Sequence, residues 1–443
     1  MITGPANTDG SPAPPGSEAE RIARAARVQA AMPEGGLFAG KEWRVAAEPF
    51  VLPPGLAEDL EKLGFRLRKF VEASNLLYRL SLSGKRPAWI AEFLDRGKPP
   101  ELLEAARAKA LAGEVPRIIR PDVILTEAGF IVAELDSVPG GIGLTAWLNE
   151  VYAAEGFDVL GGAGMVHGFA ALAGGGDILI SREAGDYRPE MEWLAARVGA
   201  RVVEAENPPE DLARKVYRFF ELFDLPNIPR STEVLQQVAE GRRTMSPPPK
   251  PWLEEKSWFA LFWLRPLAGF WRRELGDRHF LELQKVIPRT WPMDPEPLPV
   301  TAVVPELEIQ SWDELKKFSQ RERELVLKIS GFSELAWGSR SVKVGQDLSH
   351  EDWARAIEQA LGDWSTQPWI LQKFHHSRVV EMDYADGGRM QRMKGRVRLC
   401  PYYFCGERET ALGGVLATVC PADKKLLHGM RDAIIAPVVA GAA

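Results

Sequence analysis

The chain reads as an α/β protein with α+β elements, and three stretches predict that class. Between 156 and 207, Gly-rich turns separate two β-type runs, DILIS (177–181) and ARVVEAE (200–206), around a helical stretch at 188–198. This βαβ pattern predicts a small parallel sheet. Between 324 and 374 the order is strand (ELVLKIS, 324–330), loop (331–341), strand (342–344), amphipathic helix (350–361) and strand (WILQKF, 369–374). That order recurs in nucleotide-binding halves. The third stretch, DVILTEAGFIVAELD (122–136), reads as a hairpin turning at 127–129.

The first twenty residues, rich in Gly, Pro, Ala and Ser, carry no Lys or Arg and no apolar run, and are expected to be a disordered tail without a signal peptide. Helical periodicity follows at 19–32 and at 54–80, where Leu60, Leu63, Leu67 and Phe70 recur every three or four positions. Both are expected to be packing helices. The run Gly174-Gly175-Gly176 precedes the DILIS strand rather than following it, which makes it a loop and not a dinucleotide fingerprint. Proline clusters at 246–251 and 287–299 mark two joints, because repeated proline is excluded from helix interiors and central strands. Between them SWFALFWLRPLAGFW (257–271) predicts a buried aromatic helix broken at Pro266. No internal repeat is visible.

With 443 residues the chain has room for two or three cores. A 45% hydrophobic content, 26% charged residues and a net charge of −6 fit a soluble globular protein, and give no electrostatic reason to expect nucleic acid. No window has the ~20 apolar residues of a membrane span. The cysteines, Cys400, Cys405 and Cys420, lack the second pair of a four-ligand zinc set, and buried thiols in a reducing cytoplasm are expected.

Candidate chemistry begins in VAELDSVPGGIGLT (132–145). Side chains two apart on a strand share a face, so Glu134 and Asp136 point the same way. Two hard carboxylates at a strand end suit Mg²⁺, and a solvated acidic face is the alternative. The Pro-Gly-Gly-Ile-Gly that follows allows close backbone approach, expected where a loop meets phosphate or substrate. Lys328, inside an apolar strand, either meets an anion such as phosphate or faces solvent; its loop carries Gly331, Ser333, Gly338 and Ser339. Glu334 in that loop is either a third metal ligand or an exposed charge. The backbone of WILQKF, through Gln372, Lys373 and Phe374, either lies against an adenine ring or is ordinary core. In GRVRLCPYYF (395–404), Arg396 and Arg398 share a face and either hold phosphate or carboxylate or form salt bridges. Gly413 and Gly414 form a second glycine pair. His375, His376 and His428 have no ligand spacing, and no serine lies beside a base.

In their order, these motifs resemble the circularly permuted ATP-grasp ligases, the group of eukaryotic glutathione synthetase and bacterial glutathionylspermidine synthetase. The resemblance covers 120–437 and implies a permuted ATP-grasp fold with an inserted small α/β domain that resembles a pre-ATP-grasp domain. AELDSVPGGIGL resembles the family's early acidic strand, which implies Glu134 and Asp136 as Mg²⁺ ligands, with Asp136 where the family often has Asn. EEKSWFALFW and VLKIS resemble the elements carrying the two ATP lysines, implying Lys256 and Lys328. Glu334 falls in the loop of the third metal glutamate, at a longer spacing than the family's. WILQKF resembles the adenine-reading hinge strand, ALGGVLATV the small-residue loop that closes over substrate, and Arg398 is the better match for the catalytic arginine.

The implied organisation is a tail (1–20), the N-terminal part of the ATP-grasp core (21–150), a small α/β substrate domain (151–245), the lysine-bearing helix and Pro-rich linker (246–320), the nucleotide subdomain (321–375) and the C-terminal part of the core (376–443). The implied activity is cytoplasmic: ATP and Mg²⁺ activate a small-molecule or peptide-like carboxylate as an acyl phosphate, which an amine attacks. A metal-dependent nucleotide-sugar glycosyltransferase and a non-catalytic ATP-binding scaffold are the alternatives.

Overall fold

A computed structural model describes residues 16–37, 42–136, 138–299, 302–336, 340–424 and 432–442. The described chain opens with helix α1 (Glu18–Ala30), strands β1 (Arg44–Val45) and β2 (Phe50–Val51), and helices α2 (Leu56–Leu82), α3 (Trp89–Asp95) and α4 (Pro100–Ala106). Ser17 and Glu20 form a capping box on α1, so the expected tail boundary at 20 falls inside a helix. The rest of that tail call lies outside the described residues. The hairpin β3 (Ile118–Thr126) and β4 (Gly129–Asp136) comes next, then α5 (Ile142–Ala154) and α6 (Gly164–Ala173). An alternating stretch carries β5 (Asp177–Ile180), α7 (Arg188–Val198), β6 (Arg201–Glu204), β7 (Lys215–Phe219), α8 (Arg230–Ala239) and β8 (Thr244–Ser246). Helices α9 (Ser257–Trp263), α10 (Ala268–Leu275) and α11 (Asp277–Val286) lead to β9 (Thr290–Pro292), β10 (Leu325–Ile329), β11 (Lys343–Val344), α12 (His350–Gly362) and β12 (Trp369–Lys373). The last strands are β13 (Val379–Asp386), β14 (Arg389–Cys405), β15 (Thr410–Pro421) and β16 (Ile434–Val439).

Among the described residues these strands form three sheets. The central one runs β1-β16-β15-β14-β3-β4, with β13 paired to the first half of β14 and β2 to β16. It therefore joins strands from both ends of the chain. The second is the parallel sheet β6-β5-β7-β8, in agreement with the βαβ reading. The third is antiparallel, β11-β10-β12-β9, and its edge strand β9 comes from the Pro-rich stretch, where Pro292 has no N–H to contribute to a ladder.

Alternation on the central sheet decides what each face holds. Val123, Val132, Val397 and Leu399 face a core shared with α2 and the aromatic helices α9–α11. That core holds Trp258, Phe259, Phe262 and Trp271, so the aromatic helix is buried as predicted, and it stops before Pro266. On the opposite face Cys400, Tyr402 and Phe404 pack against residues of α5, α6 and α7. The three cysteines are buried free thiols. No helix among the described residues is long and apolar enough to cross a membrane.

Candidate functional site

The second face of the central sheet turns charged where α5 to α7 no longer cover it. Arg120 and Asp122 on β3 stand opposite Asp136 and Glu134 on β4, and Arg398 on β14 pairs in register with Ile124. These five side chains line a cleft of about 480 Å³. Its other walls come from the C-terminal ends of the parallel strands, with Ser181, Phe219 and Glu221, and from the loop between β10 and β11, with Ala336 and Ser341. Crevices beyond the carboxyl ends of parallel strands are the usual ligand positions of such sheets.

Ion pairs order the floor. Arg120 reaches Asp136 at 2.8 Å and Asp122 at 3.2 Å, and Arg398 reaches Asp122 at 3.1 Å. Burial works to raise the Asp122 carboxyl, but Arg398 and Arg120 outweigh it and hold it below its ordinary value. Asp136 moves the other way, because burial, assisted by Glu134 and Asp122, outweighs Arg120. The Nε atoms of both arginines are buried and have no hydrogen-bond partner among the described residues. The two guanidinium groups line the cleft, where an anion would meet their charge.

Lys256 sits at the N-cap of α9 and sends its ammonium to Glu134 at 2.9 Å and to the Ala336 carbonyl at 3.1 Å. Burial would lower its pKa, but Glu134 more than compensates and raises it. The preceding residue, Glu255, is fixed by Lys98 at 2.5 Å and by the Ser330 hydroxyl. Lys328 lies behind this pair on β10. A register shift in the β3–β4 ladder leaves Ala133 unpaired, and its carbonyl accepts from Lys328 Nζ at 3.3 Å, with Gln372 Oε1 accepting at 3.0 Å. Both acceptors are neutral, so these bonds do not meet the expectation of an anion, and burial lowers the Lys328 pKa.

In fold, the chain is similar to a glutathione synthetase-like effector. That solved structure, from Globodera pallida in its apo form, aligns with a TM-score of 0.58 and 10% identity over 96% of this chain and 98% of its own. A Methylobacillus flagellatus protein provisionally named a gamma-glutamylcysteine synthetase aligns at 10% identity over 87% of this chain and 89% of its own, with a TM-score of 0.38. No protein-family model and no curated protein sequence matches the chain.

Glu134, Asp136, Lys256 and Arg398, which the sequence singled out, thus line one cleft, with Lys328 and Gln372 bonded to each other beside it. Other residues that the sequence singled out do not line this cleft. Glu334 is exposed and is not on the cleft wall, and the described residues contain no cluster of three His, Cys, Asp or Glu that could hold a metal. In the strand WILQKF, β12 is paired on both sides, and the N–H groups of Lys373 and Phe374 donate to Arg289 and Glu324 carbonyls at 2.8 and 2.9 Å. Gly413 and Gly414 are not in a closing loop. They lie in β15, where a Cβ on Gly413 would stand 2.5 Å from the Phe404 ring and one on Gly414 3.0 Å from Asn149. Gly338 and Ser339 lie outside the described residues.

Of the glycines after Asp136, Gly140 lines the cleft, and Gly141 and Gly143 make close contacts within the protein. Gly141 has φ +85°, and a Cβ on Gly143 would meet the Glu190 carbonyl at 2.3 Å. This close approach lets the buried Glu190 carboxylate accept from the Gly141 and Leu144 N–H groups at 2.7 and 2.8 Å, capping α5 from α7. Burial nonetheless pushes Glu190 up to about 7. Sequence reasoning missed Arg120, Asp122 and Glu221. For the first two a signal existed: RPD repeats, on the partner strand, the every-second-residue charge spacing of ELD. Glu221 carried none, since only the chain path brings it to the cleft.

Proposed function

We propose that the chain is an ATP- and Mg²⁺-dependent ligase of circularly permuted ATP-grasp type, joining a carboxylate to an amine through an acyl phosphate. The observation that carries this reading is the meeting of Glu134 and Asp136, from the central sheet, with Lys256 from α9 and the Lys328–Gln372 pair of the antiparallel sheet, beside Arg120 and Arg398 on the wall of the same cleft.

The donor set fits the cofactors. Two carboxylates on one strand face match what Mg²⁺ takes from proteins, and Glu134 and Asp136 would hold it. Bound there, the metal supplies positive charge against the phosphate oxygens. Lys256 would exchange Glu134 for a phosphate, and Lys328 would add a second cation from beneath. Arg398 and Arg120, fixed by Asp122, would orient the substrate carboxylate and stabilise charge on the transferred phosphoryl group. The residues thus act by position and charge, and need no nucleophilic side chain.

A non-catalytic ATP-binding scaffold is the second reading. Two observations favour it: Glu334 is exposed and does not line the cleft, and the amides of Lys373 and Phe374 are already bonded. Hydroxylamine trapping separates the two. With Mg·ATP and a panel of γ-glutamyl peptides and amino acids, the ligase forms a hydroxamate and releases equal ADP, and Arg398→Ala removes both. Mg·ATP binding without hydroxamate or ADP from any acid would support the scaffold.

A further inference from the structure

A second cleft, of about 490 Å³, opens at the other end of strands that carry the first. Strand β7 enters it with Lys215 and Val216 and reaches the first cleft with Phe219. Strand β14 likewise gives Arg398 to the first and Phe404 to the second. No described residue lines both.

The floor is apolar, with Val216, Met245 and Phe404 each less than a tenth exposed yet bordering the space. Around it stand Arg117, Lys215 and Arg243 against a single carboxylate, Glu114, which faces Arg117 at 3.6 Å. The other two cations bond to neutral groups. Lys215 donates to the Gly174 carbonyl at 3.3 Å, and Arg243 to the Ala213 carbonyl at 2.6 Å, the Leu212 carbonyl and the Gln237 amide oxygen. Such bonds hold the side chains without neutralising them. Ser246 also borders the space. In a chain of net charge −6, a basic rim over an apolar floor is a local reversal of sign. An apolar body with a few converging polar groups is the pattern of small-molecule pockets, and the volume lies in their range.

We propose that this second cleft binds a small amphipathic monocarboxylate, its hydrocarbon or aromatic body over Val216, Met245 and Phe404 and its carboxylate at Lys215 and Arg243. Decanoate, below its micelle concentration, is the probe, titrated calorimetrically into the full chain. Ala171, exposed on α6 at the cleft wall, and Lys215, also exposed, can be changed without disturbing a core. The expected result is saturable binding of one decanoate, abolished by Ala171→Trp, weakened about tenfold by Lys215→Glu, and unchanged by Lys256→Met at the first cleft. Circular dichroism establishes that each variant is folded. The proposal is overturned by an absence of saturable binding, by binding that survives both second-cleft variants, or by decanol binding as tightly as decanoate.

Discussion

Asp122 accepts from both arginines of the cleft floor, Arg120 at 3.2 Å and Arg398 at 3.1 Å. Removing a shared acceptor leaves two buried guanidinium groups partly uncompensated, a costly outcome because the desolvation penalty stays when the partner goes. Asp122→Ala should therefore lower the unfolding free energy by about 3 kcal/mol in urea titrations, more than Glu134→Ala, whose partner Lys256 keeps the Ala336 carbonyl. Glu190 gives a second residue-scale prediction. Its folded value, pushed up to about 7 by burial from an ordinary 4.5, means that the folded state keeps a proton the unfolded chain has released. That stabilisation is complete below about pH 4.5 and is lost as pH rises through 7. Between pH 5.5 and pH 8 the wild type should lose on the order of 2 kcal/mol more than Glu190→Gln, read from urea midpoints at each pH.

At the scale of elements, glycine separates two explanations of the same sequence. Had Gly143 and Gly413 only cleared space for a ligand, an alanine at either would leave stability unchanged. With a Cβ held 2.3 Å from the Glu190 carbonyl or 2.5 Å from the Phe404 ring, each substitution must displace either α5 against its neighbouring backbone or the packed Phe404 ring beside β15. Gly143→Ala and Gly413→Ala should each cost about 2 kcal/mol by thermal or urea unfolding without ligand. The elements themselves were largely legible. The 3.6-residue recurrence of Leu60, Leu63, Leu67 and Phe70 gave α2, because apolar period follows backbone period, and the short β-type runs DILIS and ARVVEAE gave β5 and β6. ALGGVLATV misled because glycine weakens a strand signal, whereas here it admits a close neighbour in β15. Hidden from any single stretch were pairings between distant segments, such as β1 against β16 and β9 against β12.

At the scale of the whole molecule, the site is a product of convergence. Glu134 and Asp136 were readable as a pair on one strand and Lys328 as a lysine inside an apolar strand, whereas Lys256 was singled out only by the family resemblance; their meeting depends on a bulge at Ala133 and on the seat of α9. The exposure of Glu334 and the bonded amides of Lys373 and Phe374 were not legible, because a loop's course and a strand's second partner are set by tertiary packing, which local pattern does not encode. The central claim is that this meeting point binds Mg·ATP. Its most direct test is calorimetric titration of Mg·ATP into wild type, Lys256→Met and Asp136→Asn, each shown to be folded. Saturable, Mg²⁺-dependent binding in the wild type that weakens at least about tenfold in both variants is the predicted result. Binding equal in all three, or none in the wild type, would contradict it.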